Sequence, residues 1–206
     1  MEKLKRYIET EILPRYSHFD RAHSIDHART VIEESLSLAA FYEVDIRIVY
    51  TTAAYHDLGL CAGRERHHIV SGEIVRADTR LREWFTEEDI DTIACAAEDH
   101  RASSKHEPRS IYGRIVAEAD RVIDPATTLR RTIQYGLANY PQLNKEEQYN
   151  RFCAHLQEKY AEGGYLRLWI PQSKNSQRLA ELRRVISDRE LLRKTFNELF
   201  SAELNL

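Results

Sequence analysis

The stretch IRIVYTTAAYHDLGL, residues 46–60, decides the fold. Its apolar and small residues recur at helical spacing, and a helical wheel with Ile46 in the apolar face places His56 and Asp57 on the same side. A carboxylate on that side is costly to bury unless it has a partner. That partner is either a divalent cation shared with His56, or an arginine or the backbone of the next turn. The pair therefore predicts a polar site inside a helical core and leaves the kind of site open.

The rest of the chain has helical periodicity too. Its 206 residues include only 7 glycines and 5 prolines, and alternating strand-like runs are absent from the sequence. Besides the helix that leads to the His-Asp pair, we expect helices at about residues 3–13, 24–41, 67–81, 86–101, 109–123, 126–138, 145–161 and 175–202. This pattern predicts one all-α domain, a single helical bundle with its core at about 20–130 and extra C-terminal helices at about 140–206.

Composition limits the expected partners. Net charge is −3 and the charges are mixed along the chain, so neither a nucleic-acid polymer nor a membrane surface is the expected main partner. The N-terminal residues lack the apolar core of a secretory signal, and no run approaches the ~20 apolar residues of a membrane span. The three widely spaced cysteines form no CxxC pair, which favours free thiols and a cytoplasmic location.

Further histidines and acids are candidate metal ligands. His27 lies at the edge of the apolar face of its helix, and His100 lies near the apolar side of a later one. Asp120 and Glu118 lie at opposite edges of one apolar stripe, so helix phase does not choose between them. His23 precedes the helix cap and is interpreted as a loop residue. Each alone is typical of a structural residue, but together they predict convergence on one cleft.

The order of these residues resembles a known family. His27 in HSIDHARTV, the pair in AAYHDLGL and Asp120 in AEADRVI look like the HD-domain superfamily of metal-dependent phosphohydrolases, over about residues 20–130. The resemblance implies an all-helical fold with a divalent metal as cofactor, and it favours Asp120 over Glu118. It implies four ligands for the first metal: His27, His56, Asp57 and Asp120.

Some members of that superfamily hold two metals, and this sequence has matching residues. The segment HHIVSG, residues 67–72, resembles the one that supplies an extra histidine, with His67 favoured and His68 as the alternative. His100 resembles the other extra ligand, and GRIVAEADRVIDP is similar to a segment of the two-metal branch that hydrolyses dinucleoside tetraphosphates. We favour a dinuclear site bridged by Asp57, with Mn, Fe, Mg, Co or Zn as the ions. The alternative is one ion, with His67 and His100 as outer hydrogen-bonding residues.

The activity that the resemblance implies is hydrolysis of a phosphate ester or anhydride by a metal-activated water. The expected substrate is a nucleotide or dinucleotide polyphosphate, because arginines suited to phosphate lie near the candidate ligands in the sequence. These arginines are Arg64, Arg66, Arg101 and Arg121. Asp57 and Glu65 are the candidate catalytic residues, and Glu65 is either a general base or an ordinary loop residue. The acidic pair that guanosine tetraphosphate hydrolases carry after the His-Asp pair is absent, which disfavours that activity.

Other functions fit the same residues. A diiron oxygenase would use the same ligand set, and a non-catalytic nucleotide sensor would keep the fold without turnover. A helical interaction protein would bind no metal. The expected partner is a small phosphorylated molecule, and the sequence leaves a homodimer open. The segment YAEGGYLRLW, residues 160–169, is either a cover for the site or a subunit contact.

Overall fold

The computed structural model describes residues 1–20, 23–104, 106–121 and 123–204. The described residues are 72% helical and form ten α-helices and no strand, which confirms the all-α prediction. The chain groups into two compact units, residues 1–121 with 169–173, and residues 122–168 with 174–206. The boundary falls close to the predicted border between core and C-terminal extension, and the count of one domain stays a prediction.

The first unit contains six of these helices. They are α1 (Glu2–Tyr7), α2 (Ile25–Ala39), α3 (Ile46–Tyr55), α4 (His67–Ala77), α5 (Glu87–Glu98) and α6 (Ile111–Ala119). Helix α2 packs against α3 and α6, and α4 packs against α5. Side chains with no exposed area, among them Leu4, Val31, Val49, Ile93 and Ile115, form one hydrophobic core. Burial of this apolar area is the main force that holds the helices together.

Polar residues begin these helices where the sequence predicts. Ser24 accepts a hydrogen bond from the His27 amide at 3.5 Å, and Asp45 accepts one from the Arg47 amide at 2.8 Å. Thr86 forms a capping box with Asp89 at the start of α5. These side chains satisfy amides that lack a partner within the helix, and they set the direction in which each helix enters the core.

The described helix ends differ from prediction in several places. The opening helix is shorter, because α1 is followed by a π-helical stretch at Ile8–Ile12 and a 3-10 turn at Leu13–His18 that contains Pro14. Helix α4 stops at Ala77, where Asp78 begins a separate 3-10 turn. The prediction of a single helix over 175–202 is wrong. The Asp188 carboxylate accepts hydrogen bonds from the amides of residues 190 and 191 and starts a new helix there.

The second unit contains four helices. They are α7 (Pro125–Asn139), α8 (Lys145–Lys159), α9 (Asn175–Ser187) and α10 (Arg189–Leu204). Buried Phe152 and Phe196 pack with ring centroids 5.3 Å apart, and Leu156 and Leu182 are fully buried as well. None of the helices described in either unit has the length and apolarity that a membrane crossing requires.

Candidate metal centre

Four histidines surround the carboxylate of Asp57. On one side, Nε2 of His56 and of His27 lie 3.3 and 3.7 Å from Asp57 Oδ2. On the other side, Nε2 of His100 and of His67 lie 3.2 and 3.6 Å from Asp57 Oδ1. Each oxygen of this one carboxylate therefore faces its own pair of imidazoles.

Asp120 joins the first of these pairs. Its Oδ1 lies 3.1 Å from His27 Nε2 and 3.7 Å from His56 Nε2. Glu118 lies elsewhere, because its carboxylate accepts hydrogen bonds from the amide of Trp169 at 2.7 Å and from the hydroxyl of Ser173. Of the two acids that helix phase could not separate, Asp120 is the one beside the histidines.

Among the described residues, two groups of side chains could thus hold a metal ion. One is His27, His56 and Asp57, and the other is Asp57, His67 and His100. Within each group the candidate ligand atoms lie within 4.8 Å of one another, and Asp57 belongs to both. His68 is in neither group. Burial and the charge of Arg101 lower its pKa to about 4.

The ends of helices bring these residues together. His56 and Asp57 directly follow α3, His100 follows α5 and Asp120 follows α6. His27 lies in the first turn of α2, and His67 is the first residue of α4. Helix α5 was expected to include His100, and this is wrong because the helix ends at Glu98. Backbone groups at helix ends lack helical partners, so side chains there can bond to the backbone as well as face the centre.

Three of the histidines are oriented in this way by backbone carbonyls. His56 Nδ1 lies 2.7 Å from the Ala53 carbonyl oxygen, and His100 Nδ1 lies 2.6 Å from that of Ala97. His67 Nδ1 lies 2.7 Å from the carbonyl oxygen of Arg64. Because a carbonyl only accepts, Nδ1 must carry the proton in each ring. In the neutral imidazole Nε2 is then an acceptor, with its lone pair directed at the centre.

This arrangement of acceptors fits a divalent metal ion. His67 Nε2 and His100 Nε2 are 3.1 Å apart, and both face the Asp57 carboxylate. His56 Nε2 is buried without a hydrogen-bond partner among the described residues. Lone pairs at such distances repel unless a cation lies between them, and a metal ion accepts imidazole nitrogen and carboxylate oxygen together. Histidine ligands commonly donate their other N–H to a carbonyl, as these do.

Burial and charge differ across the centre. The side chains of His56, His100 and Asp57 are at most 5% exposed, whereas those of His67, His27 and Asp120 are 15%, 16% and 23% exposed. Solvent therefore reaches both His/Asp groups at these three side chains. Burial would raise the pKa of Asp57, but His56 and His100 hold it below the ordinary value. Burial would likewise raise the pKa of Asp120, but hydrogen bonding to His27 lowers it to about 2.

The arginines predicted to bind substrate have different surroundings. Arg64 is exposed and pairs with Asp20 at 2.6 Å, and Arg101 donates to the carbonyl oxygen of Glu65 at 2.5 Å. Arg121 is 7% exposed and donates to the Ala117 carbonyl, while its Nε has no hydrogen-bond partner among the described residues. Burial lowers the pKa of Arg121. Arg66 is exposed at the start of α4.

The carboxylate of Glu65 is exposed, and no contact joins it to the centre within the described residues. Its role as a general base therefore stays a prediction, as does the binding of substrate by the four arginines.

Two residues beside the centre were not singled out from the sequence. The ring of His23 lies 5.9 Å from that of His27, and His23 Nδ1 is 2.8 Å from Asp20 Oδ1. The spacing of His23 four residues before His27 was a usable signal. Tyr16 is buried, and its hydroxyl contacts the backbone next to the His-Asp pair. No local pattern marks Tyr16, because it belongs to an earlier turn.

The first unit gathers histidines and aspartates around one shared carboxylate, and this is the architecture of a metal-binding helical domain. Residues 23–123, just under half of the chain, match the family described as HD domain. The resemblance drawn from the residues is thereby confirmed. Together with the two His/Asp groups, the match supports a metal-dependent hydrolase in general terms.

A solved structure shares the fold. The chain is similar to a predicted HD superfamily hydrolase from an uncultured Thermotogales bacterium, with 20% sequence identity and a TM-score of 0.50. The alignment covers 66% of this chain and 75% of that one. No curated protein matches the chain.

Proposed function

We propose that this chain is a metal-dependent phosphohydrolase that cleaves a phosphate ester or anhydride. The main observation behind the proposal is that each carboxylate oxygen of Asp57 faces its own pair of imidazoles. A carboxylate shared in this way is suited to bridge two ions, and the histidines on either side supply the neutral nitrogen ligands. The similar solved protein is described as a predicted hydrolase, which agrees with this class.

The side chains of the centre have defined roles in this proposal. His27, His56, Asp57 and Asp120 would hold the first ion, and Asp57, His67 and His100 would hold the second. A bound ion lowers the pKa of a water from about 16 to about 7 and polarises the phosphoryl oxygens. The carbonyls that accept from His56, His67 and His100 keep each Nε2 directed at the centre. These ligand side chains are thus oriented before substrate arrives.

Arginines near the partly exposed His67 support a polyanionic substrate, and we propose a nucleotide or dinucleotide polyphosphate. Arg101 donates a hydrogen bond to the carbonyl oxygen of Glu65, two residues before His67. Arg64 lies in the loop before α4 and pairs with Asp20 beside His23. Guanidinium groups match phosphate oxygens with paired hydrogen bonds, so several of them suit more than one phosphate.

The test is metal analysis of the purified protein beside an Asp57→Ala variant, with phosphate release measured on a nucleotide panel in the presence of Mn²⁺. Two ions per chain that disappear in the variant, together with phosphate release, would support the proposal. An Asp99→Asn variant is a matched control, because both aspartates are 3% exposed and Asp99 pairs with Arg109 instead. It should keep its metal.

Other outcomes favour other functions. Oxygen uptake with Fe²⁺ and no phosphate release would favour an oxygenase. Tight nucleotide binding without product would favour a sensor. A wild-type chain that binds no divalent metal would refute the proposal.

A further inference from the structure

Tyr16 lies under the metal centre and is fully buried. It belongs to the 3-10 turn Leu13–His18, which precedes α2 in the chain. Its hydroxyl donates a hydrogen bond to the carbonyl oxygen of Ala54 at 3.0 Å and accepts one from the amide of Asp57 at 3.3 Å. The hydroxyl therefore links the last turn of α3 to the backbone of the residue that the two His/Asp groups share.

The end of α3 depends on side chains for its hydrogen bonds. The helix ends at Tyr55, and the carbonyl of Ala53 accepts from His56 Nδ1 at 2.7 Å. The next carbonyl, that of Ala54, accepts from Tyr16. Buried carbonyls and amides without a partner are costly, so these two side chains make the helix end possible at this point. One of them belongs to the centre, and the other reaches it from a distant part of the sequence.

We propose that Tyr16 is a positioning residue for the metal centre. By holding the amide of Asp57, its hydroxyl determines the direction of the carboxylate that both groups share. The inference rests on the proposed metal-dependent function. Residues that orient metal ligands through hydrogen bonds typically change metal affinity or activity by about 10–100-fold when they are replaced. Tyr16 acts through Asp57, so its removal should loosen both halves of the centre together.

Tyr55 provides a matched control. It lies in α3, is as fully buried as Tyr16, and donates its hydroxyl to Asp78 Oδ2 at 2.5 Å. That carboxylate also accepts from Tyr7 at 2.6 Å and is not part of the metal centre. Loss of the Tyr16 hydroxyl leaves the buried Ala54 carbonyl without this donor, and loss of the Tyr55 hydroxyl leaves the half-buried Asp78 carboxylate with one donor fewer, so both variants should lose stability. Of the two tyrosine hydroxyls, that of Tyr16 contacts the backbone of Asp57 and that of Tyr55 contacts Asp78.

The experiment compares wild type, Tyr16→Phe and Tyr55→Phe as full chains. Mn²⁺ dissociation constants and the spectrum of bound Mn²⁺ are measured by electron paramagnetic resonance. Hydrogen exchange at the Asp57 amide is followed by NMR in metal-free protein. We expect Tyr16→Phe to weaken Mn²⁺ binding at least about tenfold, to alter the spectrum and to speed exchange at Asp57. Tyr55→Phe should retain wild-type affinity and spectrum although its melting temperature falls.

Wild-type Mn²⁺ affinity in Tyr16→Phe would overturn the inference while leaving the proposed function intact. Equal weakening in both variants would also overturn it, because general loosening of α3 would then be the cause. Absence of Mn²⁺ binding in the wild type would refute the proposed function and the positioning role with it. If Tyr16→Phe does not fold, 3-fluorotyrosine at position 16 keeps the ring and hydroxyl but makes the hydroxyl a weaker acceptor. It should then weaken Mn²⁺ binding in the same direction, and unchanged affinity would overturn the inference.

Discussion

Two aspartates of the first unit, Asp57 and Asp99, are equally buried at 3% exposure but have different partners. Asp99 accepts hydrogen bonds from the Arg109 amide at 2.7 Å and from its guanidinium Nε at 3.0 Å. Asp57 has no arginine or lysine within 4.0 Å among the described residues, and only imidazole nitrogens face its oxygens.

The difference separates a structural carboxylate from one that needs a cation. A guanidinium supplies both charge and donors, so the Asp99 pair is complete within the protein. Three of the four imidazoles around Asp57 use their N–H groups on backbone carbonyls and offer lone pairs to the centre. Burial alone therefore does not mark a metal ligand. The type of atom that faces the carboxylate does.

The largest effect is expected from a substitution of Asp57. Asp57→Asn removes the charge that both groups share and replaces one acceptor oxygen with a donor. We expect loss of metal from both groups and a fall in phosphate release of at least about a hundredfold, the upper end of what outer partners of a ligand cause. Metal analysis and the phosphate assay measure the two effects. A variant that keeps one full equivalent of metal would show that the two groups do not depend on Asp57 together.

Much of the fold followed from local patterns in the sequence. Helical periodicity and the caps at Ser24, Asp45 and Thr86 predict most helix starts. The break at Asp188 was missed, because helical periodicity continues on both sides of it and one residue carries the signal. The wheel that placed the His-Asp pair took Ile46 as part of the apolar face, yet Ile46 is 53% exposed. Residues 48–55 are buried on every side, so no single face exists there.

The composition of the centre was less accessible from sequence. Helix phase could not separate Asp120 from Glu118, because the distinction is tertiary. Asp120 lies just past the end of α6 and turns toward His27, whereas Glu118 is satisfied by the amide of Trp169, 51 residues away. Tyr16 could not be found for the same reason. Residue type and order predicted the ligand set, and contacts distant in the chain determine which acid and which supporting residues complete it.

A second prediction uses metal to separate the two aspartates. A ligand that binds only the folded state stabilises it, by about 2.7 kcal/mol when its concentration is 100 times its dissociation constant. We therefore expect Mn²⁺ to raise the melting temperature of wild type and chelation to reverse the change. The Asp99→Asn variant should respond equally, and Asp57→Asn should not respond. Equal responses in both variants would place the metal somewhere other than on Asp57.

The third prediction concerns the ion pair between Asp99 and Arg109. Asp99→Asn removes a charged acceptor from two hydrogen bonds and leaves Arg109 with Glu98 as its remaining ionic partner. Hydrogen bonds to charged groups contribute about 1.5–3 kcal/mol, so we expect a loss of about 2 kcal/mol in the free energy of unfolding. Urea unfolding of metal-free protein measures the loss. Metal content close to wild type is the second expectation, and its loss would mean that the Arg109 pair also orients His100.

The smallest effect concerns Glu98, which accepts from Arg109 at 2.6 Å and from Arg76 at 2.5 Å. Burial would raise the pKa of Glu98, but the two arginines hold it below the ordinary value of 4.5. A carboxylate with a lowered folded-state pKa adds stability above its unfolded pKa and loses it as pH falls through the folded value. We expect Glu98→Gln to cost about 1 kcal/mol near neutral pH, since both arginines are partly exposed.

That cost should shrink as the pH of urea unfolding is lowered below about 4.5, because wild type then becomes protonated like the variant. A cost that stays constant over this range would mean that packing rather than charge accounts for it. Since Glu98 and Asp99 share Arg109, a large effect of Glu98→Gln on metal content would contradict the separation between the two aspartates. An effect confined to stability would support this separation, because the guanidinium network would then stabilise the fold while the imidazole centre alone binds the ion.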